Sequence, residues 1–230
     1  MKVFLKNIII LILGMIFLCS VGCTDSETNI NDKDTYFLEE SIENSEAFYL
    51  ELEAYERVLK GEEVYFDFYE GERSLDKISE LFKDDISVEM DVIKKFAILD
   101  MDNDGIFEIV LELINGNLNM ILHYKNGTVF SHTFGNRQVG NIKADGTFSW
   151  AGSAGYHGYG RLLLYKEACE ILNIGFQNRD EKDCETLFYI GADKVTEKMY
   201  AEFSNIENKK EDVIWHDFTV ENIEKEIKLK

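Results

Sequence analysis

Proline is absent from all 230 residues, and cysteine and tryptophan are scarce, with four and two copies. The lack of proline excludes Pro-rich linkers and polyproline II recognition segments. Basic residues are also few, because 24 lysines and arginines stand against 44 aspartates and glutamates, for a net charge of −20. Such an acidic surface repels phosphate backbones, so nucleic acid is not an expected partner. The remaining composition, 45% apolar and 30% charged, is typical of a globular domain.

The longest hydrophobic run lies at the N-terminus. Lys2 and Lys6 precede a nearly unbroken apolar stretch over residues 8–18, and small residues then lead to Cys23. A basic start, an apolar run and small residues predict a secretory signal peptide over residues 1–22. The polar residues that follow predict a flexible tether over 23–40. An ordinary signal peptide or an uncleaved N-terminal anchor, with Cys23 incidental, also fits this segment.

Ser20-Val21-Gly22-Cys23 resembles a bacterial lipobox, with Ser20 where that motif usually has leucine. The resemblance implies a diacylglyceryl group on Cys23, cleavage after Gly22, and a protein held by lipid on the extracytoplasmic face of the cell membrane. Two acyl chains are enough for stable anchoring. In that oxidising setting a disulfide between Cys169 and Cys184 is one expectation, and two separate thiols are the other.

The pattern of residues 41–230 predicts a single α+β domain. Helical spacing occurs over 44–60 and 75–82 and again after two threonines suited to N-caps, Thr196 and Thr219. Between residues 95 and 190 the apolar period changes to two, which predicts successive strands. Three dipeptides between them are typical of tight hairpin turns: Asn115-Gly116, Asn126-Gly127 and Asp145-Gly146. We therefore expect an antiparallel β-meander of about eight to ten strands, flanked by N-terminal and C-terminal helices.

The segment with the clearest chemistry runs from Asp100 to Glu108. Its carboxylates fall at alternate positions around a glycine that permits a sharp turn, and the Ile106 carbonyl is placed to add one more oxygen. Ca²⁺ prefers six or more such hard oxygens. The predicted ligands are Asp100, Asp102, Asp104, Ile106 and Glu108. A solvated acidic turn, in which these residues serve only the hairpin, is the alternative.

This loop is not an EF-hand, because Leu111 stands where the EF-hand has its bidentate glutamate and the flanking residues predict strands. The segment resembles instead the calcium hairpins of integrin-type (FG-GAP) β-propeller repeats, Asp-x-Asp-x-Asp-Gly-x-x-Asp between two strands, with Glu108 in the last position. The resemblance implies the loop and not the propeller, since the motif occurs once. It implies a structural Ca²⁺ as cofactor.

A wider pattern is similar to a group of uncharacterised lipoproteins and secreted proteins of Gram-positive anaerobes. It comprises Tyr55 to Leu59, Phe96 to Gly105, Asp145 to Trp150 with Gly158-Tyr159-Gly160, and Trp215 to Ile223. The resemblance implies a surface location and no established activity.

The glycine-rich stretch 151–161 has two interpretations. As a binding loop it would gather aromatic and polar groups around a small ligand or glycan: Trp150, Tyr156, His157, Tyr159 and Arg161. As a structural element it is a bend between strands, and this is the interpretation we favour.

These observations favour a lipid-anchored, extracytoplasmic, non-catalytic binding domain with one structural Ca²⁺ and an unidentified glycan or protein partner. No residue is assigned as catalytic. The alternatives are an envelope glycan-acting hydrolase that uses acids such as Glu108 and Glu112, and an acidic inhibitor or immunity-type lipoprotein.

Overall fold

The computed structural model describes residues 49–82, 92–114, 116, 118–135, 137–165, 168–179 and 185–229. A long run of consecutive, mostly antiparallel strands lies between helical segments, as expected of an α+β protein, so the predicted fold class is confirmed. The signal peptide, Cys23, the tether and Cys184 lie outside these residues.

The strands are short and joined mostly by tight turns. In chain order they are β1 Tyr65–Asp67, β2 Gly71–Arg73, β3 Ile93–Leu99, β4 Glu108–Leu113, β5 Leu118–Lys125, β6 Thr128–Gly135, β7 Phe148–Ser153, β8 Tyr156–Leu164, β9 Cys169–Arg179, β10 Thr186–Ile190, β11 Asp193–Val195 and β12 His216–Asp217.

The strands form two sheets. Sheet A has the order β12-β3-β4-β5-β6-β1-β2, and sheet B has the order β11-β10-β9-β8-β7. Neighbouring strands are antiparallel except for β1 and β6, which pair in parallel with Phe66 opposite Phe130. In the β5–β6 hairpin Lys125 pairs with Thr128, and Asn126 and Gly127 both have positive φ, as the sequence predicts for this turn.

Within the described residues, four helical segments accompany the sheets. Helix α1 is described over residues 49–59, a 3₁₀ helix spans Leu75–Phe82, α2 spans Glu197–Lys209 and α3 spans Val220–Lys228. The predicted caps are confirmed, since the hydroxyls of Thr196 and Thr219 accept hydrogen bonds from the amides of Met199 and Asn222. None of the helices in the described ranges is long and apolar enough to cross a bilayer.

The sheets pack face to face between helical layers. One core lies between sheet A and the helices α1 and α3, where Tyr55, Val58 and Ile223 are fully buried or nearly so. The second core lies between the two sheets, with Val110 and Ile121 from sheet A against Phe148 and Leu162 from sheet B. Helix α2 covers the opposite face of sheet B, where Phe203 contacts the ring of Tyr159.

The strands do not form one continuous meander. They divide after β6, because residues 139–143, part of the region for which the period of two predicts strands, make only isolated bridges at Gly140 and Lys143. The sequence analysis also missed the short strands β2 and β11, and the segment predicted as an α-helix over 75–82 is a 3₁₀ helix. Short elements of this kind carry too few residues to show a clear periodicity.

Candidate functional site

The acidic loop connects β3 to β4, since Leu99 and Glu108 form the last pair of that hairpin. Asp100 organises the loop, because its Oδ1 accepts hydrogen bonds from the amides of Asn103 (2.6 Å) and Asp104 (3.2 Å), and its Oδ2 from Gly105 (3.0 Å). Asn103 and Gly105 have φ of 65° and 89°, left-handed values that asparagine and glycine tolerate. These bonds turn the chain tightly around one carboxylate.

Three of the predicted ligands converge. Asp100, Asp102 and Glu108 each present an oxygen within 4.8 Å of the others. The first two are partly exposed and Glu108 is buried, so the cluster runs from the surface into the protein. Asp104 does not belong to this cluster; its Oδ1 accepts the amide of Ile106 at 2.8 Å. These residues therefore present a cluster of hard oxygen atoms, the ligand type of Ca²⁺ and Mg²⁺.

Burial and the charges of neighbouring acids raise the pKa values of Glu108 and Asp102. The pKa of Glu108 is raised to about 9, mainly because the group is buried and also because Asp102, Asp104 and Asp100 are near, although the Met101 amide, 2.7 Å away, opposes the shift. The pKa of Asp102 is raised for the same two reasons. No lysine or arginine of the described residues is among the main influences on these two pKa values.

Helix α1 makes two hydrogen bonds to Phe107, next to the end of the loop. The Phe107 amide donates to Oε1 of Glu51 at 3.2 Å, and the Phe107 carbonyl accepts from the Tyr55 hydroxyl at 2.9 Å. The acidic composition of the run Glu51–Glu56 favours a solvated helix face, and both residues were therefore not among the predicted site residues. That interpretation is wrong for Glu51, which is 3% exposed. Its position one turn before Tyr55, on the apolar face of the helix, was the available signal.

The Asp145-Gly146 turn supports the other side of the loop. Gly146 has φ of +79°, and a Cβ on it would lie 2.6 Å from the Asp100 carbonyl oxygen. Met101 follows Asp100 in the loop. Its side chain is fully buried in the core between the sheets and anchors this part of the loop backbone. The loop backbone is therefore packed on both sides by the protein itself.

The glycine-rich stretch is a β-hairpin rather than a loop, with a turn at 154–155 joining β7 to β8. Trp150, His157 and Tyr159 line a pocket of about 390 Å³ beside α2. Tyr156 packs edge-on against the Trp150 ring at 4.7 Å, and it is not among the residues that line the pocket. Arg161 is not among them either. The predicted group is therefore brought together only in part.

Two of the four histidines, which are spread along the sequence, lie side by side in the structure. The rings of His123 on β5 and His132 on β6 stack at 5.2 Å between centroids. His123 is 3% exposed, and both of its ring nitrogens are buried without a hydrogen-bond partner in the described structure. The antiparallel register that joins them is a tertiary feature that the spacing of the two histidines does not reveal.

Of the predicted cysteine pair, Cys169 is a half-buried thiol at the start of β9 and forms no disulfide with any described residue. Because Cys184 lies outside those residues, the disulfide stays a prediction.

The chain matches no protein-family model, no curated protein and no solved structure. The fold and the loop by themselves define its class, a two-sheet α+β domain with an acidic β-hairpin loop.

Proposed function

We propose that the chain is a lipid-anchored, extracytoplasmic, non-catalytic binding domain whose acidic hairpin loop holds one structural Ca²⁺. The observation that carries the calcium part is the convergence of Asp100, Asp102 and Glu108 within 4.8 Å. The anchored location rests on the sequence of residues 1–23 and on the similarity to lipoproteins of Gram-positive anaerobes. The N-terminal flanking helix that begins at Asn44 belongs to the same proposal.

Calcium fits this site because its coordination is flexible. Three carboxylates supply up to six oxygens, and water completes the six to eight that the ion prefers. Asp104 and the Ile106 carbonyl complete the proposed ligand set. Among the described residues no lysine or arginine is a main influence on the pKa values of Asp102 and Glu108, so a bound cation would offset the repulsion among the acids.

The proposed role of the ion is to stabilise the fold. The loop contacts α1 through Glu51 and Tyr55 and the β7 side through Gly146, so fixing the loop fixes the junction of three segments. A ligand that binds only the folded state raises its stability. For a single extracellular loop we expect a Kd on the order of 10⁻⁴–10⁻³ M.

The calcium proposal is tested by calorimetric titration and by thermal melts of the full chain with Ca²⁺ or with chelator. At 10 mM Ca²⁺ the folded state should gain roughly 1.5–3 kcal/mol. Asp102→Asn should abolish the heat and the melting shift. Asp193→Asn removes the same charge from the exposed end of β11 and should keep both. Equal melting shifts in the two variants would show that the effect is general ionic screening. The lack of a melting shift in the wild type would rule out the proposed calcium site.

Anchoring is tested separately by metabolic labelling with an alkyne-tagged fatty acid. We expect Cys23→Ala to lose the label and to leave the membrane fraction, whereas Cys19→Ala should retain both. Label that persists in Cys23→Ala would contradict lipidation at this residue.

A hydrolase acting on envelope glycans is the second candidate, and one cavity favours it. Glu112, Asp212 and Trp215 line a space of about 370 Å³, and two carboxylates beside an aromatic ring are the groups that glycosidases use. Against it, Asp212 is paired with Lys143 at 2.6 Å, and Glu108 lies in the loop cluster. Release of reducing ends from purified cell walls, lost in Glu112→Gln but kept in Glu185→Gln, would support the hydrolase.

A further inference from the structure

The pocket beside α2 is formed on the outer face of sheet B. His157 and Tyr159 on β8 and Gln177 on β9 meet Tyr200 and Ser204 of α2 around a space of about 390 Å³. Arg137, from the turn after β6, closes one side. The pocket lies apart from the acidic loop, with which it shares no lining residue.

Most of the polar side chains in this pocket have no partner. The Tyr159 hydroxyl is satisfied by Ser204 Oγ at 2.6 Å. The side chains of Arg137, His157, Gln177 and Tyr200 make no hydrogen bond or ion pair with any described residue. The ring of Tyr200 is largely buried, since the residue is 6% exposed, and its hydroxyl faces the accessible space of the pocket. Four hydrogen-bonding groups are thus presented to one cavity.

The charge of the pocket is opposite to that of the molecule. None of the described residues that line the pocket is an aspartate or glutamate, although the chain carries 44 of them, and Arg137 contributes a full positive charge. An arginine without a carboxylate neighbour suits an anionic group, which its planar guanidinium can hold through two hydrogen bonds.

The remaining lining suits hydroxyl groups and a flat ring. The rings of Tyr159 and Tyr200 are held in place by Phe203, with centroids 5.7 Å and 6.1 Å away, and Phe188 lies 5.3 Å from Tyr200. Burial, with a smaller effect of Tyr159, raises the pKa of Tyr200 to about 12, so its hydroxyl remains a donor. Rigid aromatic walls with a few placed polar groups are the usual construction of a small-ligand site.

We propose that this pocket binds an acidic monosaccharide unit, with its carboxylate on Arg137 and its hydroxyls on His157, Gln177 and Tyr200. The inference deepens the proposed function, on which it rests for the presence of envelope or host glycans around the protein. A sugar ring provides both the hydroxyls for the unpartnered groups and the apolar face for the tyrosines. The carboxylate pairs with Arg137, the one cationic side chain among the described residues of the lining, which include no acid.

The test is ligand-observed NMR titration of the full chain with glucuronate, glucose and acetate. We expect glucuronate to bind roughly tenfold more tightly than glucose, the difference that one charge-assisted hydrogen-bond pair makes. Arg137→Ala should abolish that preference and leave glucose binding unchanged. Tyr200→Phe should weaken both sugars about threefold, since it removes one neutral hydrogen bond.

Arg179→Ala serves as the matched control, because Arg179 is an exposed arginine of β9 that does not line the pocket. It should bind all three probes like the wild type. Equal affinity for glucuronate and glucose would contradict a role for the carboxylate. Acetate binding as tight as glucuronate would contradict recognition of the sugar ring. Failure of both sugars to bind would rule out the proposed site. The calcium-dependent melting shift, measured in the same samples, reports on the acidic loop independently of these outcomes.

Discussion

Glu51 is a single carboxyl group buried beside a loop that already contains several carboxylates. Burial is the main cause that raises its pKa to about 7; the charge of Asp104 adds to the effect, while the hydrogen bond from the Phe107 amide opposes it. In the unfolded chain its pKa is near 4.5. Between these values the folded state binds the proton more tightly, so stability must fall as pH rises from about 4.5 through 7.

Glu51→Gln should remove this pH dependence, because the amide oxygen still accepts the Phe107 N–H and carries no charge. In chelator, the variant should gain up to about 3 kcal/mol relative to wild type between pH 5 and pH 8. Urea unfolding at the two pH values measures the difference. Glu62→Gln, at an exposed position, is the matched control and should show no such gain. A pH-independent difference for Glu51→Gln would contradict the assigned pKa shift.

Gly146 is required for two reasons that a comparison of variants can separate. Its φ of +79° disfavours any other residue, and a Cβ would meet the backbone oxygen of Asp100. Gly127 has a similar φ of +85° with nothing within 4 Å. Gly127→Ala should therefore lose about 1–2 kcal/mol for the conformation alone. Gly146→Ala should lose about 1–3 kcal/mol more, measured by urea unfolding in chelator, and should weaken Ca²⁺ binding. Equal losses of unfolding free energy in the two variants would show that the loop backbone moves away from the added Cβ at little cost.

The residues of the acidic loop could be found from the sequence because their spacing is local. Asp100, Asp102 and Glu108 lie within nine positions, and one turn brings them together. Glu51 and Gly146 reach the same loop across 56 and 46 positions of chain, and only the packing of α1 and of the β7 side places them there. No local pattern encodes such contacts.

The distinction between local and long-range contacts also applies to whole helices and strands. The Asn126-Gly127 hairpin and the Thr196 and Thr219 caps were predicted correctly, since each depends on a few neighbouring residues. The division into two sheets was not predicted. It depends on the parallel pairing of β1 with β6 and on the packing of one sheet face against the other, which are long-range choices.

The attachment of α2 to sheet B depends on one glycine of β9. A Cβ on Gly175 would overlap the Phe203 ring, which packs directly over this position. Gly175→Ala should therefore displace the helix, with a loss of about 1–3 kcal/mol in urea unfolding and weaker binding in the pocket beside α2. In a Phe203→Ala background the same change should lose much less, because the obstructing ring is gone. Gly135→Ala, where a Cβ meets only the Gln138 side chain at 3.6 Å, is the control. Additive losses in the double variant would show that the ring and the glycine do not interact.

Across the whole molecule, different buried groups make the stability of the fold sensitive to high pH and to low pH. Raising the pH destabilises the protein through two buried acids, Glu51 and Glu108, because the pKa of each is raised above its unfolded value, to about 7 and about 9. Lowering the pH acts on the stacked histidines, because burial, with smaller effects of His132 and Lys125, lowers the pKa of His123 from 6.5 to about 4. Here the unfolded chain binds the proton more tightly, so stability falls as pH drops from about 6.5 through 4.

His123→Phe should remove most of this acid sensitivity, since phenylalanine can keep the stacking with Phe130 and His132 and has no proton to bind. Wild type should lose up to about 3 kcal/mol between pH 7 and pH 4 through this group, and the variant should lose correspondingly less. His157→Phe, which removes an imidazole from the outer face of sheet B, should leave the acid response unchanged. Because an effect of total charge would act on both variants alike, urea unfolding of the pair separates the buried histidine from the general titration of 44 acidic residues.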